Sequence, residues 1–333
     1  MKKFFNAVVI GCGNIGAKAG NYGKSVQPGT HAGAYQADKR TRLVALVESD
    51  KERLPFLKKD FPDVKIYTDP DEMFGKIKPD IVSIATPTST HCELVLLAAK
   101  HKCPAILCEK PISLNISDAR KMISACHKNN SILFINHMRH FDPILRKWSE
   151  KVKSGFLGQV YQGNAYYYNG LFNNATHIID LLITFLGEPI AVSAYYNRTT
   201  SNDKSNLNAD GIIFFENDVK ITLQTLSKNY GFFGFRIFGE RGMLDITRAG
   251  FDVQYRKKIK HKYFKGYFEL DEKTKEEGDL RSFMASAIGY VVDCLEGKKQ
   301  PISTGEDGLA VLKILESLKK SASLEGKIVK INY

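Results

Sequence analysis

The stretch that most constrains this chain is Gly11-Cys12-Gly13-Asn14-Ile15-Gly16, entered directly from the apolar run Ala7-Val8-Val9-Ile10. A buried strand running into G-x-G-x-x-G predicts the first turn of a βαβ unit that binds a dinucleotide. Gly11 permits the tight turn off the strand. Gly13 lets backbone approach a pyrophosphate with no Cβ in the way, and Gly16 lets the following helix pack close to the strand. The helix N-terminus, with Cys12, Asn14 and Ile15 between the glycines, offers N–H groups and a positive dipole end to phosphates. Taken alone, the same loop also suits a glycine-rich turn of another α/β protein.

The pattern around the loop supports the dinucleotide reading. Apolar runs at 43–47, 81–85, 105–108 and 132–135 alternate with helical stripes, the clearest at 91–101 and from a Ser117 cap to about 129. Repeated βα units imply a doubly wound parallel sheet, the Rossmann arrangement. After about residue 150 the pattern changes. One helix is expected at 176–186, then strands at 190–198, 208–215, 218–226, 233–239, 242–247, 251–256 and 261–269, an acidic loop at 271–279, and helices at 280–296 and 305–323. The expected fold is therefore α/β, a Rossmann domain followed by an α/β domain with a large, open, mostly antiparallel sheet. The domains are placed at 1–125, binding the dinucleotide, and 126–333, for substrate and oligomerisation, with the 305–323 helix packing back on the first.

A chain of 333 residues is long enough for two such domains. No apolar run approaches the roughly 20 residues that cross a bilayer, and the basic start Met1-Lys2-Lys3 leads into a strand and not into a signal peptide, so no membrane and a cytoplasmic location are expected. The six cysteines show no metal spacing, so buried free thiols and no metal are expected. The net charge of +12 is scattered and lacks a nucleic-acid recognition motif; a phosphorylated cofactor and an anionic substrate suit it as well. The densest basic stretch, 256–262, reads as an edge strand protected by lysines, or as a polyanion patch.

Glu48 ends the second apolar run, where an acidic residue accepts hydrogen bonds from the adenosine ribose. A carboxylate there repels a 2′-phosphate and no arginine follows directly, which favours NAD over NADP. Glu48 lies 32 residues after Gly16, where roughly 20 is usual. An insertion at about 17–29, rich in glycine, accounts for the excess and reads as a lid or as a surface excursion.

Taken together, the glycine loop, Ala85-Thr86-Pro87-Thr88-Ser89-Thr90-His91, Cys108-Glu109-Lys110-Pro111, Arg139-His140-Phe141-Asp142-Pro143, Thr176-His177-Ile178-Ile179-Asp180 and Thr304-Gly305-Glu306-Asp307-Gly308 resemble the Gfo/Idh/MocA oxidoreductase family. They run in family order over nearly the whole chain. The resemblance implies NAD(P)-dependent oxidation or reduction of a carbinol carbon on a sugar, inositol or nucleotide-linked sugar, and a homodimer or homotetramer formed through the open sheet. It places the lysine of E-K-P, here Lys110, near the nicotinamide and the carbinol, and the histidine of the second motif, here His177, at the same carbon from the other domain.

The residues bear this out as chemistry. Removing hydride from a secondary alcohol requires a base within hydrogen-bond reach of its oxygen. Lys110 sits on a strand-end loop, where α/β crevices open. His177 and Asp180 are three apart at a helix start, so the carboxylate can orient the ring. Many family members carry an aspartate four residues before this histidine; Asn173 stands there and cannot take a proton, which leaves Lys110 or His177 as base. Gly11, Cys12, Gly13, Asn14, Ile15, Gly16, Glu48, Thr86, Pro87, His91, Glu109 and Lys110 are assigned to the cofactor. Lys110, Arg139, Asn164, Asn173, Asn174 and His177 are assigned to the substrate. His91 reads equally as structural, and Arg139 as part of a structural ion pair. Tyr166, Tyr168 and Asn169 are placed with Asn164 and Asn174 along the sugar pocket, although tyrosines alternating on a strand also read as sheet packing. A reductase of a non-sugar carbonyl or imine, and a non-catalytic NAD-binding sensor, remain open as other readings.

Overall fold

The computed structural model describes residues 4–18, 28–201, 205–272, 274–277 and 282–333. They divide into two compact units: the described parts of Met1–Phe141 with Arg281–Leu309, and those of Asp142–Leu280 with Ala310–Tyr333.

The first unit is built on strands β1 (Phe5–Ile10), β2 (Thr41–Val47), β3 (Lys65–Tyr67), β4 (Ile81–Ile84), β5 (Ala105–Cys108) and β6 (Ile132–Ile135). They pair in parallel in the order β3-β2-β1-β4-β5-β6. Helices α1 (His31–Ala37), α2 (Leu54–Asp60), α3 (Pro70–Lys76), α4 (His91–Lys100) and α5 (Ile116–Lys128) connect them. Helix cover on both faces explains why β4 and β5 are buried at every residue. The strand order reverses between β1 and β4, which opens a crevice at their C-terminal ends. The glycine loop and Thr86-Pro87 lie at those ends.

Two sequence expectations change here. Asn115, not Ser117, caps α5, because its side-chain oxygen accepts the Asp118 N–H at 2.9 Å. The expected boundary at 125/126 falls inside α5, whereas the chain divides at 141/142. The sheet needs β6 as its last strand, so α5 and β6 stay with the first unit. Helix α8 (Phe283–Leu295) returns to that unit through Arg40, which contacts Asp38, Asp293 at 2.6 Å and Glu296 at 3.1 Å. Ser303 also exchanges hydrogen bonds with the Ile135 backbone at 2.6 and 2.7 Å.

The second unit holds α6 (Pro143–Lys153), β7 (Val160–Tyr167), α7 (Ala175–Leu186), β8 (Ala191–Asn197), β9 (Asn208–Phe214), β10 (Lys220–Thr225), β11 (Gly234–Gly239), β12 (Gly242–Thr247), β13 (Asp252–Lys260), β14 (Phe268–Leu270), β15 (Thr274–Glu277) and β16 (Val329–Lys330). Helix α9 spans Gly305–Ser323, and its residues from 310 onward belong here. The sheet runs β14-β13-β12-β11-β7-β10-β9-β8-β16, with β15 also on β13. It is antiparallel except for the β7–β10 pair. Its core face packs residues such as Ala165, Tyr167, Ile221 and Phe235 with Ile178, Leu182, Ile314 and Leu318 of the helices.

The basic stretch does not lie on the outermost strand. β13 carries it to Lys260; β12 pairs it as far as Lys257, and β14 pairs Lys258–Lys260. The strand expected at 261–269 is mostly the turn that closes the β13–β14 hairpin, with Gly266 at φ +86°. The acidic stretch expected as a loop contains β15 at 274–277, because β13 presents a free ladder at 252–255.

Candidate active site

In the first unit the site grows from the end of β1. Gly11 has φ +89°, and a Cβ on it would lie 2.7 Å from Thr86 Cγ2 and 2.8 Å from the Ala85 carbonyl. Only glycine takes this turn without strain. A Cβ on Gly16 would overlap the Gly11 carbonyl oxygen, so these two glycines are fixed by the fold itself. Gly13 differs: the nearest atom to a Cβ there is Arg53 Nη1 at 3.7 Å. Among the described residues the space in front of Gly13 is open, as a cradle for a phosphate requires. Asn14 and Ile15 begin a single π-helical turn, Asn14–Lys18, in which the Gly13 carbonyl accepts from Ala17 and Lys18. The first N–H groups of such a turn have no partner within it. The next helix, α1, begins only at His31, after the insertion, most of which lies outside the described residues.

Glu48 is buried at the end of β2. Its carboxylate accepts the Cys12 N–H at 3.0 Å and the Asp50 N–H at 2.9 Å. Arg53, which sequence reasoning did not single out, lies 3.4 Å from the same carboxylate and 3.1 Å from Asp50. The signal for it was the short helical turn Lys51–Arg53, which Asp50 caps and which carries the guanidinium back to the strand end. Burial, and then Glu48, push the Cys12 thiol up to about 12, so it is a neutral packing group. The lining of a cavity of about 590 Å³ includes Gly11, Gly13, Glu48, Arg53, Thr86 and Pro87. A larger groove of about 820 Å³ in the second unit, lined among others by Val152, Phe185, Glu188 and Val219, contains none of the candidate residues.

His91 is buried with Nδ1 3.0 Å from the Pro111 carbonyl and Nε2 3.1 Å from the Thr86 carbonyl. It therefore ties the Thr86-Pro87 loop to the loop carrying Lys110. A neutral imidazole has one N–H and satisfies one of these carbonyls; the imidazolium satisfies both.

Glu109 is nearly fully buried and Oε1 faces two groups, His31 Nε2 at 3.0 Å and Asn136 Nδ2 at 2.6 Å; Oε2 accepts the Lys110 N–H at 3.3 Å. Burial raises its carboxyl, but the His31 and Asn136 contacts and the nearby Lys110 charge outweigh that and hold it below the usual range. Lys110 shifts down. Burial is the main cause, Arg139 adds to it, and Glu109 opposes it. Arg139 belongs to the short turn Met138–Phe141 that follows β6. The structure thus brings Glu109, Lys110, His91 and Arg139 to one end of the parallel sheet. His31 and Asn136 were missed. Asn136 immediately follows β6, but His31 is separated from the glycine loop by the insertion.

In the second unit, His177 and Asp180 are both buried on the first turns of α7. Asn173 and Asn174 close the π-helical turn Gly170–Asn174 that leads into it, and the Asn173 carbonyl accepts from Thr176 at 2.8 Å. These four therefore lie together. Asn164 does not join them. Ala165 and Tyr167 point into the core with α7, so alternation along β7 turns Asn164 and Tyr166 to the opposite face. There Asn164 Nδ2 donates to Thr222 across the β7–β10 pair at 2.7 Å. Its expected place in the substrate pocket beside His177 is thus corrected to sheet packing.

A family model described as the oxidoreductase family, NAD-binding Rossmann fold, matches residues 5–137, and one described as its C-terminal alpha/beta domain matches 169–331. The myo-inositol 2-dehydrogenase of Thermotoga maritima is 37% identical over 117 residues, 35% of this chain and 35% of that protein. The D-glucoside 3-dehydrogenase of Escherichia coli K12 is 28% identical over 153 residues, 46% of this chain and 40% of that protein. The matches to these relatives thus span less than half of their length. The WlbA dehydrogenase of Bordetella pertussis, solved with NADH and UDP-GlcNAcA, superposes with a TM-score of 0.78 at 18% identity, over 99% of both chains. No helix among the described residues is long and apolar enough to cross a membrane.

Proposed function

The chain belongs to the Gfo/Idh/MocA oxidoreductase family, and on that premise we propose that it transfers hydride between NAD and a carbinol or carbonyl carbon of a sugar, inositol or nucleotide-linked sugar. What supports this reading is the place of Lys110, on the strand-end loop after β5, where burial moves its amine below the ordinary range and the charges of Glu109 and Arg139 act on it. Such an amine is available in its neutral form nearer neutral pH and can take the hydroxyl proton as the carbon gives up hydride. When bound, NAD supplies the hydride acceptor or donor. Gly11, Gly13, Asn14, Ile15, Thr86 and Pro87 would hold it. Gly13 fits the group because its open side leaves room for the pyrophosphate. Arg139 would meet an anionic group of the substrate. His177, oriented by Asp180, would polarise the reacting oxygen, and Asn173 and Asn174 would bind hydroxyls; their motif and their grouping on α7 support this.

Glu48 favours NAD. A 2′-phosphate would meet the carboxylates of Glu48 and Asp50, and Arg53 is engaged by both. Replacing Glu48 by Ser together with Ser49 by Arg is expected to move preference toward NADPH by about tenfold or more, on the scale of one charge-assisted contact. Parallel NADH and NADPH titrations check this, and tighter NADPH binding by the unaltered protein would contradict it.

The open face of the ten-stranded sheet is proposed to pair copies into a homodimer or homotetramer; sedimentation of the purified protein reads this directly, and a monomer at assay concentration would remove it. Turnover of a panel of free sugars, inositols and UDP-, GDP- and CDP-sugars, followed by NADH fluorescence, tests the function itself. NADH binding with no turnover across the panel would favour the non-catalytic sensor.

A further inference from the structure

Behind Glu109 runs a buried chain of polar side chains from three elements. Tyr35 Oη lies 2.8 Å from Ser83 Oγ, Ser83 Oγ 2.9 Å from His31 Nδ1, and His31 Nε2 3.0 Å from Glu109 Oε1. His31, Tyr35 and Ser83 are all completely buried. His31 and Tyr35 are four apart on α1 and so share one face; Ser83 comes from β4 and Glu109 from the end of β5.

The end of the chain fixes its first bond. An ionised carboxylate only accepts, so His31 Nε2 carries the proton and donates. In the neutral ring Nδ1 then accepts from the Ser83 hydroxyl, and Ser83 Oγ accepts from Tyr35, whose phenol burial keeps protonated. With the ring neutral each donor is used, and Glu109 is the chain's only acceptor-only end. A polar chain of this kind is costly to bury, and an apolar core of the same volume would hold the sheet and helix together at least as well. What it does that an apolar core cannot is aim hydrogen-bond donors at one carboxylate.

We propose that His31 is a positioning residue that acts on Lys110 through Glu109, keeping that carboxylate charged and aimed so that the amine has a fixed counter-charge. The groups involved are Glu109 and Arg139 around Lys110, and His31, Asn136 and Lys110 around Glu109. Without the His31 donor, burial dominates at Glu109 and favours its neutral acid. Lys110 then keeps its desolvation and its repulsion from Arg139 but loses the charge that opposes them, so its titration moves down.

The proposal rests on the reading of Lys110 as the group that handles the substrate proton, but its test needs no substrate. The full-length protein, with and without NADH, is acetylated by acetic anhydride across a pH series, and modification of Lys110 is read by peptide mass spectrometry. His31→Phe is expected to lower the Lys110 midpoint by about one pH unit, the usual effect of one nearby charge. His31→Gln, which restores an N–H at the Nε2 position, is expected to return it close to the unaltered value. Glu109→Gln is expected to reproduce the His31→Phe shift. A folded His31→Phe protein with an unmoved midpoint overturns the proposal, as does a His31→Gln shift as large as that of His31→Phe. If His31→Phe does not fold, the contrast between His31→Gln and Glu109→Gln decides: no shift in Glu109→Gln removes the proposal. A shift that follows the expected pattern, in a protein whose Lys110→Met variant still turns over substrate, would leave the positioning role standing and remove the base assignment instead.

Discussion

Lys110→Met is expected to lower kcat by roughly 10²–10⁴, the usual worth of a positioned acid or base, while NADH affinity stays within a few-fold. Methionine keeps most of the volume of the stem and removes the amine, so the loop should retain its shape. The pH dependence gives the sharper reading. In the oxidative direction the base must be neutral, so turnover rises as pH climbs through the Lys110 pKa and levels off above it. Since burial and Arg139 lower that pKa despite Glu109, the rise is expected at a pH below the ordinary lysine range. In the reductive direction the same amine must be protonated, and activity falls through the same interval. Lys110→Met should lose this limb in both directions. His177→Ala should also lower turnover, and Asp180→Ala less so. Near-normal kcat for Lys110→Met would overturn the mechanism.

Gly13→Val is expected to leave a folded protein that has lost at least about a hundredfold in NADH affinity. The reasoning separates three glycines of one loop. At Gly13 the backbone is compatible with a side chain, and among the described residues its one near neighbour is the flexible end of Arg53 at 3.7 Å. The added methyl groups would therefore enter the space proposed for the pyrophosphate, and forcing them into a close contact costs roughly 3 kcal/mol, which is about two orders of magnitude in Kd. At Gly16 the Cβ would overlap the Gly11 carbonyl, so Gly16→Val is expected to damage folding first. Thermal melting and NADH titration of the two variants distinguish the cases. Equal melting loss in both, or unchanged NADH affinity in Gly13→Val, would mean the loop is only a turn.

Much of the fold was legible because its signals are local. Buried parallel strands read as short apolar runs at β1, β2, β4, β5 and β6, and the glycine loop marks where the first one ends. The helix at 305–323 has the bounds its periodicity predicts. The motif around Glu109-Lys110 could be found because the chemistry needs particular residue types at a strand end. Where two structures share one local pattern, the sequence was less informative. Lysine-rich alternation in β13 resembles an edge strand, yet the neighbours that pair it lie at 268–277, and nothing in its own residues names them.

By itself, then, the amino-acid order determined a dinucleotide-type parallel sheet, a second unit with an open sheet, and Lys110 and His177 as the residues to examine. Period and turn chemistry are properties of neighbours along the chain, so they can be read from it. Only the tertiary structure decided that Asn164 faces away from α7, and that α8 closes the first unit after an excursion of more than a hundred residues. It alone also joined His31, Ser83 and Asn136 to Glu109. Those four come from α1, β4, the end of β6 and the end of β5, and side chains so far apart in sequence meet only when the register of a parallel sheet brings its strand ends together.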